Sequence, residues 1–170
     1  MKKFFVLSAL AVFFCVGVVR AEDVASIEEI QGEVFILSAG SEPDQWLPIT
    51  ENVAVQSGDS IRTAEGTCTL VYGDQASFKV IKQTRFTVQS NSRTHDIWLT
   101  LGKLQGKVDK NKVVKPFQVV TPNAVAAVRG TDVDFDFTEE GGFSVDLQDE
   151  GPVQVFNEDA DMSLDLSDVK

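Results

Sequence analysis

The sequence predicts an all-β protein, a single domain of many short strands forming a twisted or solenoid-like sheet or a β-sandwich. Short apolar or alternating runs are separated by turn residues about every 8 to 12 positions, as in sandwiches, barrels and β-coils. No segment has the periodicity of an amphipathic helix. The mature chain is expected to have 149 residues, the 170 of the sequence less a leader of 21, which suits one domain with its own core.

The first 21 residues predict a signal peptide. Lys2 and Lys3 precede an apolar run, and Val19-Arg20-Ala21 places small residues where a signal peptidase reads them. We expect cleavage after Ala21 and a periplasmic or secreted protein with no membrane span after cleavage. The alternative is an uncleaved anchor, although the run is shorter than the roughly 20 apolar residues of a typical span.

In the first half of the mature chain, six or seven strands are predicted ahead of a polar loop. Gly58-Asp59 and Gly73-Asp74 are turn signals, and Pro48 indicates an edge strand because it lacks a backbone donor. The predicted strands are a pair around Gly32 within 25–37, an edge segment at 46–49, one or two strands within 61–72, and strands at 76–81 and 85–88.

In the second half of the mature chain, the predicted strands resume after a polar loop at 89–95. Gly102 and Gly106 are expected to interrupt the segment that follows a strand at 97–101. A basic connection is predicted from Lys107 to Lys115. The later strands are predicted at 117–119, 124–128, 133–137, 143–147 and 153–156. We assign residues 22–157 to the domain and 158–170 to an acidic tail, which is either loose or at best one edge strand.

Thr121, Pro122 and Asn123 predict a turn ahead of the strand at 124–128, because Pro122 biases the preceding residue toward an extended backbone. The small apolar residues of this strand suggest that both of its faces are buried. Arg129 follows it and must reach solvent or find carboxylate or carbonyl partners. We expect a structural role for Arg129, with ligand binding as the alternative.

Charge and cysteine content exclude several classes of function. The net charge is −11, and removal of the bases Lys2, Lys3 and Arg20 would take it to −14, so nucleic acid is not an expected partner. Positions 62–115 are locally basic and positions 132–170 strongly acidic. Cys68 is the only cysteine of the mature chain, so we expect a small buried hydrophobic residue and no intramolecular disulfide.

Four stretches carry a resemblance to a known family. They are Ile30-Gln31-Gly32-Glu33-Val34 followed by Trp46, the run from Val55 to Thr63, Leu70-Val71-Tyr72-Gly73-Asp74, and Phe117 through Thr131 with its Ala-Val-Arg-Gly-Thr close. In order and spacing the chain resembles the extracytoplasmic domain of the FecR family. The motif positions to which we give a structural role are Gly58, Asp59, Arg62, Thr63, Thr121, Pro122, Arg129, Gly130 and Thr131.

The resemblance implies a β-rich module that senses or transmits signals at the bacterial envelope. Regulatory members carry a cytoplasmic sigma-binding region ahead of a membrane helix, whereas only Met1-Lys2-Lys3 precedes the apolar run here. We therefore expect no direct sigma-factor binding by this chain. The expected partner is an envelope protein or a cell-wall polymer.

Few residues are candidates for catalysis or metal binding. We expect that the protein is not an enzyme and that it has no catalytic residues, no cofactor and no metal site. Asp132, Asp134 and Asp136 share one strand face, which favours a solvated surface over Ca²⁺ binding, because Ca²⁺ takes six to eight converging oxygens. His95, the sole histidine, is expected as a partly exposed structural imidazole in the polar loop. A hydrolase would require it to meet a nucleophile and a carboxylate in one cleft.

The leading hypothesis is a non-enzymatic envelope binding module that docks a partner through strand edges or turns. The alternative is a carbohydrate-binding module for cell-wall glycan. It would use Trp46 and Trp98 as a stacking platform, and burial of both tryptophans would exclude it. The binding residues themselves are not identified by the sequence.

Overall fold

The structure, a computed structural model, describes residues 23–148, 153–157 and 160–165. Those residues form strands and no helix, so the all-β prediction is confirmed. The predicted signal peptide at 1–21 lies outside the described residues, as does the turn predicted at 149–151. The described part of the chain contains no helix that could span a membrane.

Fifteen strands are described, and the predicted positions of most of them are confirmed. The first eight are β1 (Asp23–Gln31), β2 (Val34–Leu37), β3 (Leu47–Pro48), β4 (Val53–Gln56), β5 (Ser60–Thr63), β6 (Thr67–Tyr72), β7 (Ala76–Val80) and β8 (Arg85–Ser90). The remainder are β9 (His95–Val108), β10 (Phe117–Val120), β11 (Ala124–Val128), β12 (Asp132–Phe137), β13 (Phe143–Leu147), β14 (Val153–Asn157) and β15 (Ala160–Asp165).

The strands form two sheets that share β9. Sheet A has the order β4-β1-β6-β7-β9-β12-β13 and uses the second half of β9. Sheet B has the order β3-β2-β5-β8-β9-β10-β11-β14-β15 and uses the first half. Every pairing is antiparallel except β9 with β10, which is parallel. The change of sheet within β9 occurs at Gly102, whose φ of 95° suits glycine.

Successive crossings between the sheets are stacked at one edge, which gives the fold a solenoid-like character. The crossing from β1 to β2 lies beside the crossing from β5 to β6, where the Ala64 N–H donates to the Glu33 carbonyl at 3.0 Å. The β7 to β8 crossing follows, with the Gln83 N–H donating to the Ala64 carbonyl at 2.9 Å. These backbone bonds satisfy polar groups that the change of sheet would otherwise leave unpaired.

The core lies between the inner faces of the two sheets. Tyr72 and Phe78 of sheet A contact Phe117 of sheet B, with ring centroids 4.9 and 5.6 Å apart. All three side chains are buried. Burial of each large apolar side chain contributes about 1.5–3 kcal/mol, so the packing of these three side chains stabilises the contact between the sheets.

Cys68 is a buried core residue, as predicted, with 1% of its surface exposed. Burial raises the pKa of its thiol to about 12. A thiol that remains protonated and inaccessible is chemically unreactive in the folded protein.

Three details differ from the sequence predictions. The predicted loop at 89–95 is shorter in the structure and covers 91–94, because β8 extends to Ser90 and β9 starts at His95. Gly102 and Gly106 lie inside one strand of 14 residues and do not break it. Only one face of β11 is buried, since Val125 and Ala127 are half-buried on the other. In the predicted acidic tail, β15 is an edge strand on β14.

Candidate functional site

The outer face of sheet B carries the most distinctive side chains of the described surface. The inward residues of β9 alternate with outward ones, so that Ile97 and Leu99 are buried whereas Trp98 is 44% exposed. Trp98 lies opposite Val120 of β10, which lies opposite Val125 of β11, which lies opposite Phe156 of β14. We call these four residues the apolar row.

A second group on the outer side of sheet B lies near β5 and β8. Arg62 and Arg85 are direct register partners on these strands. Their guanidinium carbons lie 4.8 and 5.6 Å from the centre of the Trp46 ring, and Arg62 lies 4.8 Å from the Phe35 ring. Cation–π contacts of this kind hold the rings over the guanidinium groups. We call Trp46, Arg62 and Arg85 the arginine–tryptophan site.

His95 is buried, so the prediction of a partly exposed loop imidazole was wrong. Its ring stacks on Phe117 at 5.1 Å and lies 5.1 Å from the Tyr72 ring, while Nδ1 is 3.1 Å from the Ser90 hydroxyl. Burial lowers the pKa of His95, nearby Lys115 lowers it further, and Asp96 opposes both effects. The cause of the difference is tertiary: β10 pairs with the start of β9 and covers the imidazole.

The acidic face of β12 lies beside basic residues of β9. Asp132 is 3.6 Å from the Lys107 ammonium group and Asp134 is 3.7 Å from that of Lys103, with a further hydrogen bond of 3.0 Å from Gln105 to Asp134. Across the described residues, no group of three or more His, Cys, Asp or Glu side chains is arranged to hold a metal ion. Asp132 and Asp134 thus form cross-strand ion pairs with β9.

A family model described as FecR protein matches residues 59–154, which is more than half of the chain. The chain belongs to the FecR family. The resemblance inferred from the sequence motifs is thereby confirmed. FecR domains are regulatory, non-enzymatic domains that are typically associated with the cell envelope. Comparison with curated proteins and with solved structures gives no significant match.

The FecR stretch from Val55 to Thr63, which we call the first FecR motif, contains the turn between β4 and β5. Asp59 is 5% exposed, and its carboxylate accepts hydrogen bonds from the backbone N–H groups of Ala39 and Gln56, each at 2.8 Å. Gly58 precedes it with a φ of 98° and donates its N–H to the Val88 carbonyl at 2.7 Å. The Gly-Asp pair therefore ties the loop after β2, the end of β4 and β8 together.

Thr63 closes the same motif at the crossing from β5 to β6. Its hydroxyl donates to the Ile81 carbonyl at 2.8 Å and accepts from the Thr84 N–H at 3.0 Å. Arg62, immediately before it, points to the outer face and is half-buried. Thr63 thus bonds backbone groups inside the fold, while Arg62 belongs to the arginine–tryptophan site.

The FecR stretch from Phe117 to Thr131, which we call the second FecR motif, forms the β10–β11 hairpin and the crossing after β11. At the hairpin, the Thr121 hydroxyl donates to the Ala124 carbonyl and accepts from the Ala124 N–H, both at 3.1 Å, and Pro122 is exposed. At the crossing, Gly130 has a φ of 119° and packs against Lys110, and the Thr131 carbonyl accepts from the Val108 N–H at 3.2 Å.

Arg129 is exposed at the end of β11 and lines an open cavity of about 340 Å³ with Gln118 and Gln154. It reaches solvent, which was one of the two outcomes expected for a guanidinium in this apolar run. Of the FecR motif side chains, Arg62 and Arg129 present guanidinium donors to the surface, and the neighbouring Arg85 lies outside the motifs. Sequence reasoning missed the pairing of Arg62 with Arg85, because 23 positions separate them and only the β5–β8 register brings them together.

Proposed function

We propose that this FecR domain is a non-enzymatic binding and sensing module that is exported to the envelope and docks a protein or cell-wall polymer. Its leader at 1–21 would be removed after Ala21, which mass spectrometry of the exported protein would show as an N-terminus at Glu22. Membership of a regulatory domain family supports the class of function.

The observation that carries this proposal is the apolar row on the outer face of sheet B. Trp98 and Phe156 are 44% and 43% exposed, and half-buried Val120 and Val125 connect them across adjacent strands. Contiguous apolar surface of this kind marks interaction sites in proteins that are otherwise well covered by polar groups. The proposed docking surface is therefore the row itself.

Strand addition is a second route for the same kind of partner. Within the described residues, β13 pairs only with β12, so its other edge presents free backbone donors and acceptors. Its half-buried Phe143, Val145 and Leu147 alternate with exposed residues. An extended segment of a partner could pair with this edge by backbone hydrogen bonds.

The test compares retention of envelope material by the immobilised mature chain and by a Trp98→Ser/Phe156→Ser variant. Both envelope extract and purified peptidoglycan are used, with Val114→Ser as the control because Val114 is 81% exposed and its N–H donates to Gln75, between β6 and β7 of sheet A. We expect at least tenfold weaker retention by the double variant and unchanged retention by the control. Equal retention by all three proteins, or none by the wild type, would refute the proposal.

A chain ending at Asn157 tests whether the partner binds at the β15 edge of sheet B, since it removes β15. If the partner pairs with β14 or β15, the truncated chain will bind with altered affinity. If the apolar row alone is used, the truncated chain will bind as the whole mature chain does.

Carbohydrate binding is a second candidate, and one observation favours it. Neither tryptophan is buried: Trp98 is exposed in the apolar row and half-buried Trp46 lies over the arginines of the same sheet. Trp46 and Trp98 are the only two tryptophans, so their fluorescence reports directly on a bound sugar. Titration with soluble peptidoglycan fragments should change this emission saturably, and an unchanged spectrum excludes the candidate.

A further inference from the structure

The arginine–tryptophan site places two positive charges side by side on the outer face of sheet B. Among the described residues, four ion pairs are found and all of them involve lysines. Within the part of the chain that the structure describes, no ion pair joins a carboxylate to Arg62 or Arg85, although the sequence has a net charge of −11. Like charges directly opposite on adjacent strands repel each other, and a bound anion would offset this repulsion.

Arg62 is also oriented by its neighbours. The Phe35 and Trp46 rings each lie 4.8 Å from its guanidinium carbon, which leaves the edges of the guanidinium for hydrogen bonding. Its Nε is buried without a hydrogen-bond acceptor among the described residues. A buried donor without an acceptor is rare in folded proteins and needs a reason, such as a ligand group that completes it.

An open cavity of about 690 Å³ lies over these residues and is of a size that suits a small ligand. Besides Trp46, Arg62 and Arg85, its lining includes the hydroxyls of Ser60, Thr87 and Thr100. Exposed Asp44 also lines it, so the lining carries one carboxylate beside the two guanidinium groups. Ser60 and Thr87 hydrogen-bond each other at 2.7 Å, and Thr100 donates to the Arg85 carbonyl at 3.1 Å, so the hydroxyls are held in place.

We propose that this cavity binds the carboxylate of an acidic saccharide. Arginine binds carboxylates through two parallel hydrogen bonds, the fixed hydroxyls match sugar hydroxyls, and an indole suits the apolar face of a sugar ring. The negative charge of the whole chain disfavours a densely charged polymer such as polyphosphate. This inference rests on the proposed binding function and names one ligand class for the same face of the domain.

The test is calorimetric titration of the mature chain with trigalacturonic acid, with maltotriose as the neutral sugar and polyphosphate as the dense anion. We expect saturable binding of trigalacturonic acid alone, accompanied by a change in tryptophan fluorescence and weakened by salt. Arg85→Gln removes one of the two guanidinium groups and should weaken binding of trigalacturonic acid at least tenfold. Because Arg85 is exposed, this substitution should leave the fold intact. Lys82→Gln, an exposed base outside the cavity lining, should change this binding less than twofold.

Arg62→Lys keeps the charge but removes the paired donors, so it should also weaken binding. Circular dichroism of each variant shows whether the fold is retained. No binding of trigalacturonic acid, equal binding of maltotriose, stronger binding of polyphosphate, or unchanged binding by Arg85→Gln would each overturn the inference. If trigalacturonic acid fails while envelope material is still retained through the apolar row, only this inference falls and the proposed function stands.

Discussion

Asp59 provides the sharpest test of how the first FecR motif stabilises the fold. Replacement of Asp59 by Ala removes the acceptor of two backbone N–H groups, those of Ala39 and Gln56, each 2.8 Å from a carboxylate oxygen. A hydrogen bond to a charged group contributes about 1.5–3 kcal/mol, so two such bonds give at most about 3–6 kcal/mol. Ala39 and Gln56 are themselves exposed, and water replaces part of the loss.

We therefore expect Asp59→Ala to lower the free energy of unfolding by about 3 kcal/mol. With a urea dependence of about 2 kcal/mol per molar, the unfolding midpoint should fall by about 1.5 M. Asp59→Asn keeps the side-chain volume and one acceptor oxygen. Its NH2 group replaces the other oxygen, and this donor cannot accept a hydrogen bond from the second backbone N–H. Its expected loss is intermediate, about 2 kcal/mol.

Asp74 is the matched control, since it also follows a glycine in a turn. Its side chain is 75% exposed and lies 3.5 Å from the Lys112 ammonium group. An exposed ion pair contributes between zero and about 1 kcal/mol, so Asp74→Ala should leave the urea midpoint nearly unchanged. Equal midpoints for Asp59→Ala and Asp74→Ala, measured by circular dichroism, would refute the structural role assigned to Asp59.

Three further predictions concern the core and the bend in β9. Gly102→Ala should lower the free energy of unfolding by about 3 kcal/mol or more in urea titrations, because φ is 95° and the new Cβ would lie 2.6 Å from Thr84 Cα. Gly141→Ala, with φ of 83° and open space, should cost only about 1 kcal/mol. His95 has a lowered pKa, so the unfolded chain binds its proton first as the pH falls below about 6.5. Wild-type stability should therefore fall between pH 7.5 and 5.5 more steeply than that of His95→Phe, and parallel curves would contradict this. Cys68 should resist iodoacetamide at pH 8 in native protein and react in urea, as mass spectrometry would show, and rapid native labelling would disprove its burial.

The strands were predictable because their periodicity is local. Residues 67–72 alternate between buried and half-buried positions, and 132–137 do the same, which is the two-residue pattern that their sequences predict. The turns at Gly58-Asp59 and Pro122-Asn123 were predictable for the same reason, since turn residues act on their own backbone.

The candidate site was not predictable, because it depends on register between distant strands. Nothing near Arg62 in the sequence indicates that Arg85 lies opposite it. His95 was misplaced for a similar reason, since its burial comes from β10 and not from its polar neighbours. Gly106 was interpreted as a break, yet it lies within β9, where a Cβ would lie 2.7 Å from the Phe78 ring and close packing therefore favours glycine.

The strand β9 couples the unfolding of the two sheets, because it is hydrogen-bonded into both of them. Its first half is hydrogen-bonded into one sheet and its second half into the other, so peeling either sheet away requires breaking the ladder that also anchors its neighbour. Loss of one layer should therefore propagate to the other in a single concerted transition. The lone tyrosine lies in sheet A and both tryptophans lie on the sheet B side, so tyrosine and tryptophan fluorescence should both change at one common denaturant concentration.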